Sequence, residues 1–321
     1  MYSRRGGSSL RFCTRRVWAD LNATQAHIVT LWCAILSKAD RGFALVLPRD
    51  VSIQQFRLLS LLSRVHPDCI SAIRLAHALT MRPSDVDDAL ASFFGAGLVD
   101  HCESVDGEGA SWRVTPLGIE RTRTIDAEVA LYHASCFALL DDVDRRLLSA
   151  LFGKMLSTPG SFYARNDCPA HIKPLGTFEG LSVIATLHRV VSSSLRRSCR
   201  LSLTDFRFLL ELYPKRGFGN KTLRARDMVA FLRTGRAYVT TASVRLEEQG
   251  LIERIPDEHD ARGILFTLAP TGYHVVQTAG DDVFAVLASM FGSELEERRT
   301  VSVLKRLLQG EDSALASLKG R

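Results

Sequence analysis

The stretch from 236 to 272 constrains the fold most, because hydrophobic spacing changes period there within one short run of chain. From Ala237 to Gln249 the spacing is helical, with Val239, Ala242 and Leu246 on one face, and Gly250 stops the run. Leu251 to Ile255 then reads as a strand. A tip rich in Asp, Glu, His and Gly turns the chain, and Ile264 to Leu268 returns as the hairpin partner before Gly272.

A helix feeding a two-stranded hairpin is half of a winged helix-turn-helix, a mostly α fold with small β wings. Arg262 stands near the hairpin tip, where a long guanidinium suits the narrow, negatively charged minor groove of DNA. Asp260, two residues away, is placed to hold it extended. The sequence Asp260-x-Arg262, then Phe266, Leu268 and Gly272, resembles the wing pattern of the multiple-antibiotic-resistance-regulator (MarR) family of transcription factors. Arg245-Leu-Glu-Glu-Gln-Gly250-Leu-Ile is similar to the end of that family's recognition helix. The resemblance is specific in the second half of the chain and weaker in the first. It implies a sequence-specific DNA-binding regulator, built as a dimer whose subunits interlock through their first and last two helices.

Self-similarity extends the reading to the whole chain. Val51-Ser-Ile-Gln-Gln-Phe56-Arg-Leu-Leu matches Leu201-Ser-Leu-Thr-Asp-Phe206-Arg-Phe-Leu at an offset of 150. Gly97-Leu-Val matches Gly250-Leu-Ile at 153, and Thr115-Pro-Leu-Gly118 matches Ala269-Pro-Thr-Gly272 at 154. Small steps of this kind are what loop insertions leave in a duplicated domain. The expected organisation is a basic tail at 1–16, a first winged-helix copy at 17–156, a Pro/Gly-rich linker at 157–176 and a second copy at 177–321.

In copy one we expect helices at 21–38, from about 52, at 71–79, 83–95, 116–139 and 142–156, with a Gly42/Pro48 loop and a wing at 98–114 turning at Asp106-Gly107. In copy two we expect them at 177–197, 202–213, 222–232, 236–249, 271–290 and 293–308. Leu181, Ile184, Val191 and Leu195, and likewise Val301, Leu304, Leu307 and Leu308, form apolar faces that need a cover. An intramolecular pseudo-dimer supplies it within one chain; two independent units that each pair with another chain, giving a homodimer, are the alternative.

For copy two the expected DNA contacts are Arg236, Tyr238, Thr240, Thr241 and Arg245 on the recognition helix, Arg262 with Asp260 on the wing, and flanking Lys221, Arg224 and Arg226 toward phosphates. The bland alternative is an ordinary solvated helix face. The same positions in copy one are Pro83, Asp85, Asp87, Asp88 and Ser92, with Glu108 in the place of Arg262. Residues 51–120 hold five basic and nine acidic residues, a balance of −4, whereas 201–272 hold eleven and nine, or +2. Carboxylates facing phosphates oppose the counterion-release term that dominates DNA affinity. Copy one is therefore expected to be a degenerate half, and copy two to carry most of the binding.

Net charge of +6 suits a polyanionic partner, here double-stranded DNA. No run approaches the roughly 18 apolar residues of a membrane span, and no signal peptide is legible, so the expected location is the cytoplasm. Seven cysteines, an odd number without a Cys-x-x-Cys pair, argue against a disulfide framework or zinc site. Cys168, beside Arg165 and His171 before the first helix of copy two, is a candidate redox sensor. Regulators of the resembled family commonly answer a small-molecule effector; Trp18, His27, Trp32, Tyr132, His133, His188 and Tyr273 are the aromatic candidates, and most read as core. Gly-rich phosphate loops, Gly-x-Ser-x-Gly and His-Glu-x-x-His are all missing, so no enzyme and no cofactor is expected. Two other readings stay open: a plasmid-type replication initiator with two winged helices, and a protein-interaction module that no longer reads DNA.

Overall fold

The computed structural model describes residues 22–103, 110–156, 177–214, 221–257 and 260–319, without the side chains at 177–179, 260–262 and 319. The basic tail, the linker with Cys168, and the Asp106-Gly107 turn with Glu108 lie outside the described residues.

The N-terminal half runs α1 (Ala23–Val46), α2 (Ile53–Val65), β1 (Ile70–Ser71), α3 (Ala72–Leu79), α4 (Pro83–Gly95), β2 (Val99–Cys102), β3 (Ser111–Val114), α5 (Pro116–Cys136) and α6 (Asp142–Leu156). The C-terminal half repeats that order as α7 (Thr177–Ser198), α8 (Leu203–Leu212), β4 (Leu223–Arg224), α9 (Ala225–Leu232), α10 (Arg236–Glu248), β5 (Ile252–Asp257), β6 (Asp260–Leu268), α11 (Pro270–Phe291) and α12 (Arg298–Lys319), with a 3-10 turn at Gly292–Glu296.

Local chemistry sets the boundaries. Asn22 and Ser52 open α1 and α2 with capping boxes closed by Gln25 and Gln55. Pro83, Pro116 and Pro270 sit at the first turn of α4, α5 and α11, where a missing N–H costs nothing. Gly97 and Gly250 take positive φ (72° and 68°) just past α4 and α10, a conformation that a Cβ disfavours.

Several boundaries differ from the sequence expectation. α1 runs on to Val46, so Gly42 lies inside the helix and not in a loop, and the ring of Tyr132 occupies the space a Cβ there would take. Each wing has a third strand: β1 joins β3 and β4 joins β6, giving sheet orders β1-β3-β2 and β4-β6-β5. Two-residue strands leave no period-2 pattern to read, and the helix expected from 222 therefore starts only at Ala225. Ser71 caps α3 from outside. α12 continues past 308 to Lys319 because Ala314 and Leu315 keep its inner face apolar. Cys69 and Cys102 form a disulfide with a Cα separation of 6.3 Å, contrary to the expectation from cysteine spacing. Cys69 immediately precedes β1 and Cys102 ends β2, the two strands that flank β3, a proximity that a separation of 33 residues hides.

The halves are interleaved. α1 of the N-terminal half packs against α8, α11 and α12 of the C-terminal half, while α7 packs against α2, and α12 lies along α5. A single buried core spans Ile28, Trp32, Leu36, Leu148, Phe152, Leu187, Leu195, Phe206, Phe291 and Leu304, drawing on both halves; a second, smaller core of Leu58, Leu62, Leu75, Val86, Leu90 and Trp112 lies under the first wing. Two buried arginines bind the halves reciprocally. Arg57 donates to Leu79 O of its own half (3.1 Å) and to Thr186 Oγ1 on α7 (3.4 Å). Arg207, 150 residues on, donates to Phe231 O (3.1 Å) and to Ser37 Oγ on α1 (3.0 Å). Each guanidinium thus ties the end of a short helix in one half to the first helix of the other.

Candidate nucleic-acid interface

The C-terminal reading head consists of α8, α9, α10 and the three-stranded sheet β4-β6-β5. α10 buries Val239, Ala242, Ser243 and Leu246 against this core. Helical spacing then turns Arg236, Thr240, Thr241 and Val244 outward, and all four are exposed. Thr240 spends its hydroxyl on Arg236 O (3.1 Å), whereas Arg236 and Thr241 make no side-chain bond among the described residues.

Tyr238 and Arg245, expected to face a groove, both turn to one buried carboxylate. Asp205 is 5% exposed, accepts from Tyr238 Oη at 2.9 Å and from Arg245 Nη2, and receives Ser202 Oγ at 2.7 Å. Burial, then the Asp205 charge, raise the Tyr238 phenol above its ordinary range, so it stays a donor. These contacts pin α10 to α8. The sequence offered no sign of this, since Ser202 to Asp205 reads as a helix start and Asp205 is also its third residue.

The flanking cations are similarly engaged. Arg224 Nε bonds Asp257 Oδ2 at 2.6 Å, bracing β4 against the hairpin, and Asp257 is itself buried. Lys221 donates to Glu211 O and lies 5.6 Å above the Phe231 ring. Arg226 remains on the surface, its side chain 70% exposed. Asp260 and Arg262 lie on β6 at the hairpin end, where Asp260 pairs with Asp257; their side chains are outside the described residues.

A junction not anticipated from the sequence links this head to the long helices. Asp312 on α12 binds Lys38 of α1 (2.7 Å) and Arg233 (3.5 Å), the left-handed residue that closes α9 just before α10. Lys38 is buried, which lowers its pKa, and the Asp312 carboxylate opposes that.

The N-terminal head has the same elements and different chemistry. Asp85, Asp87, Asp88 and Ser92 are all exposed on α4. Where Glu247 and Arg254 pair at 3.3 Å in the C-terminal head, the first head has ring contacts: Phe94 lies 5.0 Å from His101, which lies 3.8 Å from Trp112. Among the described residues no group of His, Cys, Asp and Glu is arranged to hold a metal, and no helix is long and apolar enough to cross a membrane.

Residues 201–264, from the start of α8 into β6, match the sequence model of the MarR family. No curated protein matches the sequence. Solved structures with similarity include Sco3205, a MarR-family transcriptional regulator of Streptomyces coelicolor in complex with DNA, at 20% identity over 33% of this chain and 67% of that one, with a TM-score of 0.30. AbsC, a MarR-family regulator of the same organism, gives 18% identity, 44% and 90% coverage and a TM-score of 0.36. Wild-type MarR of E. coli in its apo form gives 21%, 43% and 96%, with a TM-score of 0.33. The three-strand sheet and the helix that precedes its hairpin agree with that match: residues 201–264 are the segment that matches the MarR-family domain.

Proposed function

We propose that the chain is a DNA-binding transcription regulator of the MarR type, folded as a tandem pseudo-dimer, in which the C-terminal head carries most of the affinity for duplex DNA. The observation that carries this reading is the exposed Arg236, Thr240 and Thr241 face of α10, inside the family-matched segment, set against exposed Asp85, Asp87 and Asp88 at the corresponding place on α4. Arg236 and the two threonines enter the major groove as adaptable base and phosphate partners. Arg262, steadied by Asp260, probes the adjacent minor groove. Tyr238 and Arg245 act through Asp205 by fixing the angle of α10, and Arg224 and Lys221 act by bracing the wing and the segment before it. Reciprocal contacts of Arg57 and Arg207 support the pseudo-dimer, with 17–156 and 177–321 as its copies.

Binding, not catalysis, is the activity we propose, and the cytoplasm is the compartment we propose. The test is selection of bound duplexes from a random library at fixed salt, run with the wild type, Arg236→Ala and Arg262→Ala. Enrichment of one strong half-site that either variant weakens supports the reading. A symmetric palindrome would mean that α4 reads bases despite its aspartates, or that two chains pair. No enrichment in any sample would overturn DNA reading and favour an interaction module.

A further inference from the structure

Most hydrogen-bonding groups on α10 are already used within the protein. Thr240 gives its hydroxyl to Arg236 O (3.1 Å), and Ser243 gives its own to Thr240 O (2.9 Å). Tyr238 and Arg245 turn to Asp205, and Glu247 pairs with Arg254 at 3.3 Å. Among the described residues of α10, only Arg236, Thr241 and Glu248 keep a polar side-chain group that makes no bond.

Methyl groups fill the rest of the outer face. Ala237, Thr241 and Val244, spaced i, i+4 and i+7, lie opposite the buried Val239, Ala242 and Leu246. All three are exposed, Val244 to 39%. The fold does not call for this row. A β-branched side chain on an exposed helix position loses rotamer freedom and gains no packing, yet Thr240, Thr241 and Val244 stand together there. In the N-terminal head α4 builds the same helix with Ser84, Asp88 and Ala91 at the places of Ala237, Thr241 and Val244, an offset of 153 residues.

We infer that Ala237, Thr241 and Val244 read thymine methyl groups in the major groove, so that the half-site preferred by this head is a G·C pair at Arg236 followed by a run of A·T pairs. This rests on the DNA-binding reading of α10 and states which bases it selects. The thymine C5-methyl is an apolar group on a base edge, and it projects only into the major groove. Ala, Thr and Val side chains meet it by withdrawing apolar surface on both sides from water. Ala237 to Val244 rises about 10 Å along the helix axis, the length of about three base pairs. A cytosine in the same place brings no methyl and sets its N4 donor against groups that cannot accept it. Arg236, at the head of the row with its fork of donors unspent, suits guanine O6 and N7. Glu248, one turn past Val244, ends the row with a carboxylate that repels phosphate.

The test is fluorescence polarisation of the full chain at one fixed salt concentration, with the duplex enriched by selection and the same duplex carrying deoxyuridine in place of thymidine. That exchange removes the methyl groups and nothing else. Each thymine that faces α10 is expected to cost about fourfold in affinity when its methyl is lost. Minor-groove contacts of the wing are blind to the change, because the methyl lies on the other edge of the pair. Val244→Ala and Thr241→Ser, both at exposed positions, keep the circular dichroism spectrum and each erase the thymine-over-uracil preference at one pair. Equal affinity for the thymine and uracil duplexes, a preference that both variants leave intact, or a half-site of G·C pairs alone would overturn the proposal and leave DNA binding standing. No enriched duplex at all would instead overturn the DNA reading, and this proposal with it.

Discussion

A carboxylate that is almost wholly buried needs donors, and Asp205 finds Tyr238, Arg245 and Ser202, two of them on the helix proposed to read DNA. Arg245 keeps 44% of its side chain exposed, so solvent screens part of the pair and the loss on removal stays modest. Asp205→Asn is expected to destabilise the chain by about 2 kcal/mol in urea denaturation and to weaken DNA binding as well. Arg236→Ala, with no partner to lose among the described residues, should leave the urea midpoint in place and weaken DNA binding alone. Equal midpoints for both variants would remove the anchoring role of Asp205. His133 gives a second prediction at this scale. Burial lowers its pKa from the ordinary 6.5 to about 4. Between those values the unfolded chain binds the proton and the folded chain does not, so stability falls as pH drops from about 6.5 to 4. The full effect approaches about 3 kcal/mol. His133→Gln should flatten this part of the pH–stability curve, and an unchanged slope would show that other groups set it.

Helices that cross closely do so over glycine, and the consequences of adding one methyl group separate packed from open sites. A Cβ on Gly310 of α12 would sit 2.0 Å from Cys136 O at the end of α5. Backbone cannot yield cheaply, so Gly310→Ala is expected to cost about 2 to 3 kcal/mol. A Cβ on Gly153 of α6 meets nothing within 4 Å, and Gly153→Ala should stabilise by about 0.5 to 1 kcal/mol through helix propensity. Thermal unfolding of both variants checks the opposite signs. Element existence was largely legible in the sequence: α4 and α6 run over 83–95 and 142–156 as the pattern predicts, because acidic first turns and apolar spacing agree in both and Pro83 opens α4. What was not legible depended on distant partners. Gly42 reads as a helix stop, and only the ring of Tyr132 explains its place within α1. β1 and β4 are too short to show alternation and exist because β3 and β6 offer an edge. At the interface, outward and inward faces of α10 were legible from 3.6-residue spacing, but the capture of Tyr238 and Arg245 by Asp205 was not, since 33 and 40 residues separate them.

At the scale of the molecule the buried surfaces decide what can stand alone. The inner face of α12, with Val303, Leu304 and Leu307, is covered by α1 and α5, and α7 rests partly on α2. Ion pairs follow the same seam: Arg306 of α12 bonds Asp144 of α6 at 2.6 Å, and Asp144 is fully buried. If residues 177–321 are expressed without the N-terminal half, these faces and Arg306 lose their cover together. Exposed apolar faces of that extent drive association, and a chain that retains the elements of both sides can cover them with a second copy. The isolated half is therefore expected to be a homodimer by light scattering at micromolar concentration, with Arg207 of each copy reaching the first helix of the other. Such a dimer would present two C-terminal heads in place of one basic and one acidic head. Duplex selection should then return a palindrome, where the full chain returns a single strong half-site. A folded monomer of 177–321 would show that the interleaved packing is not what holds the long helices, and the pseudo-dimer reading would fall with it.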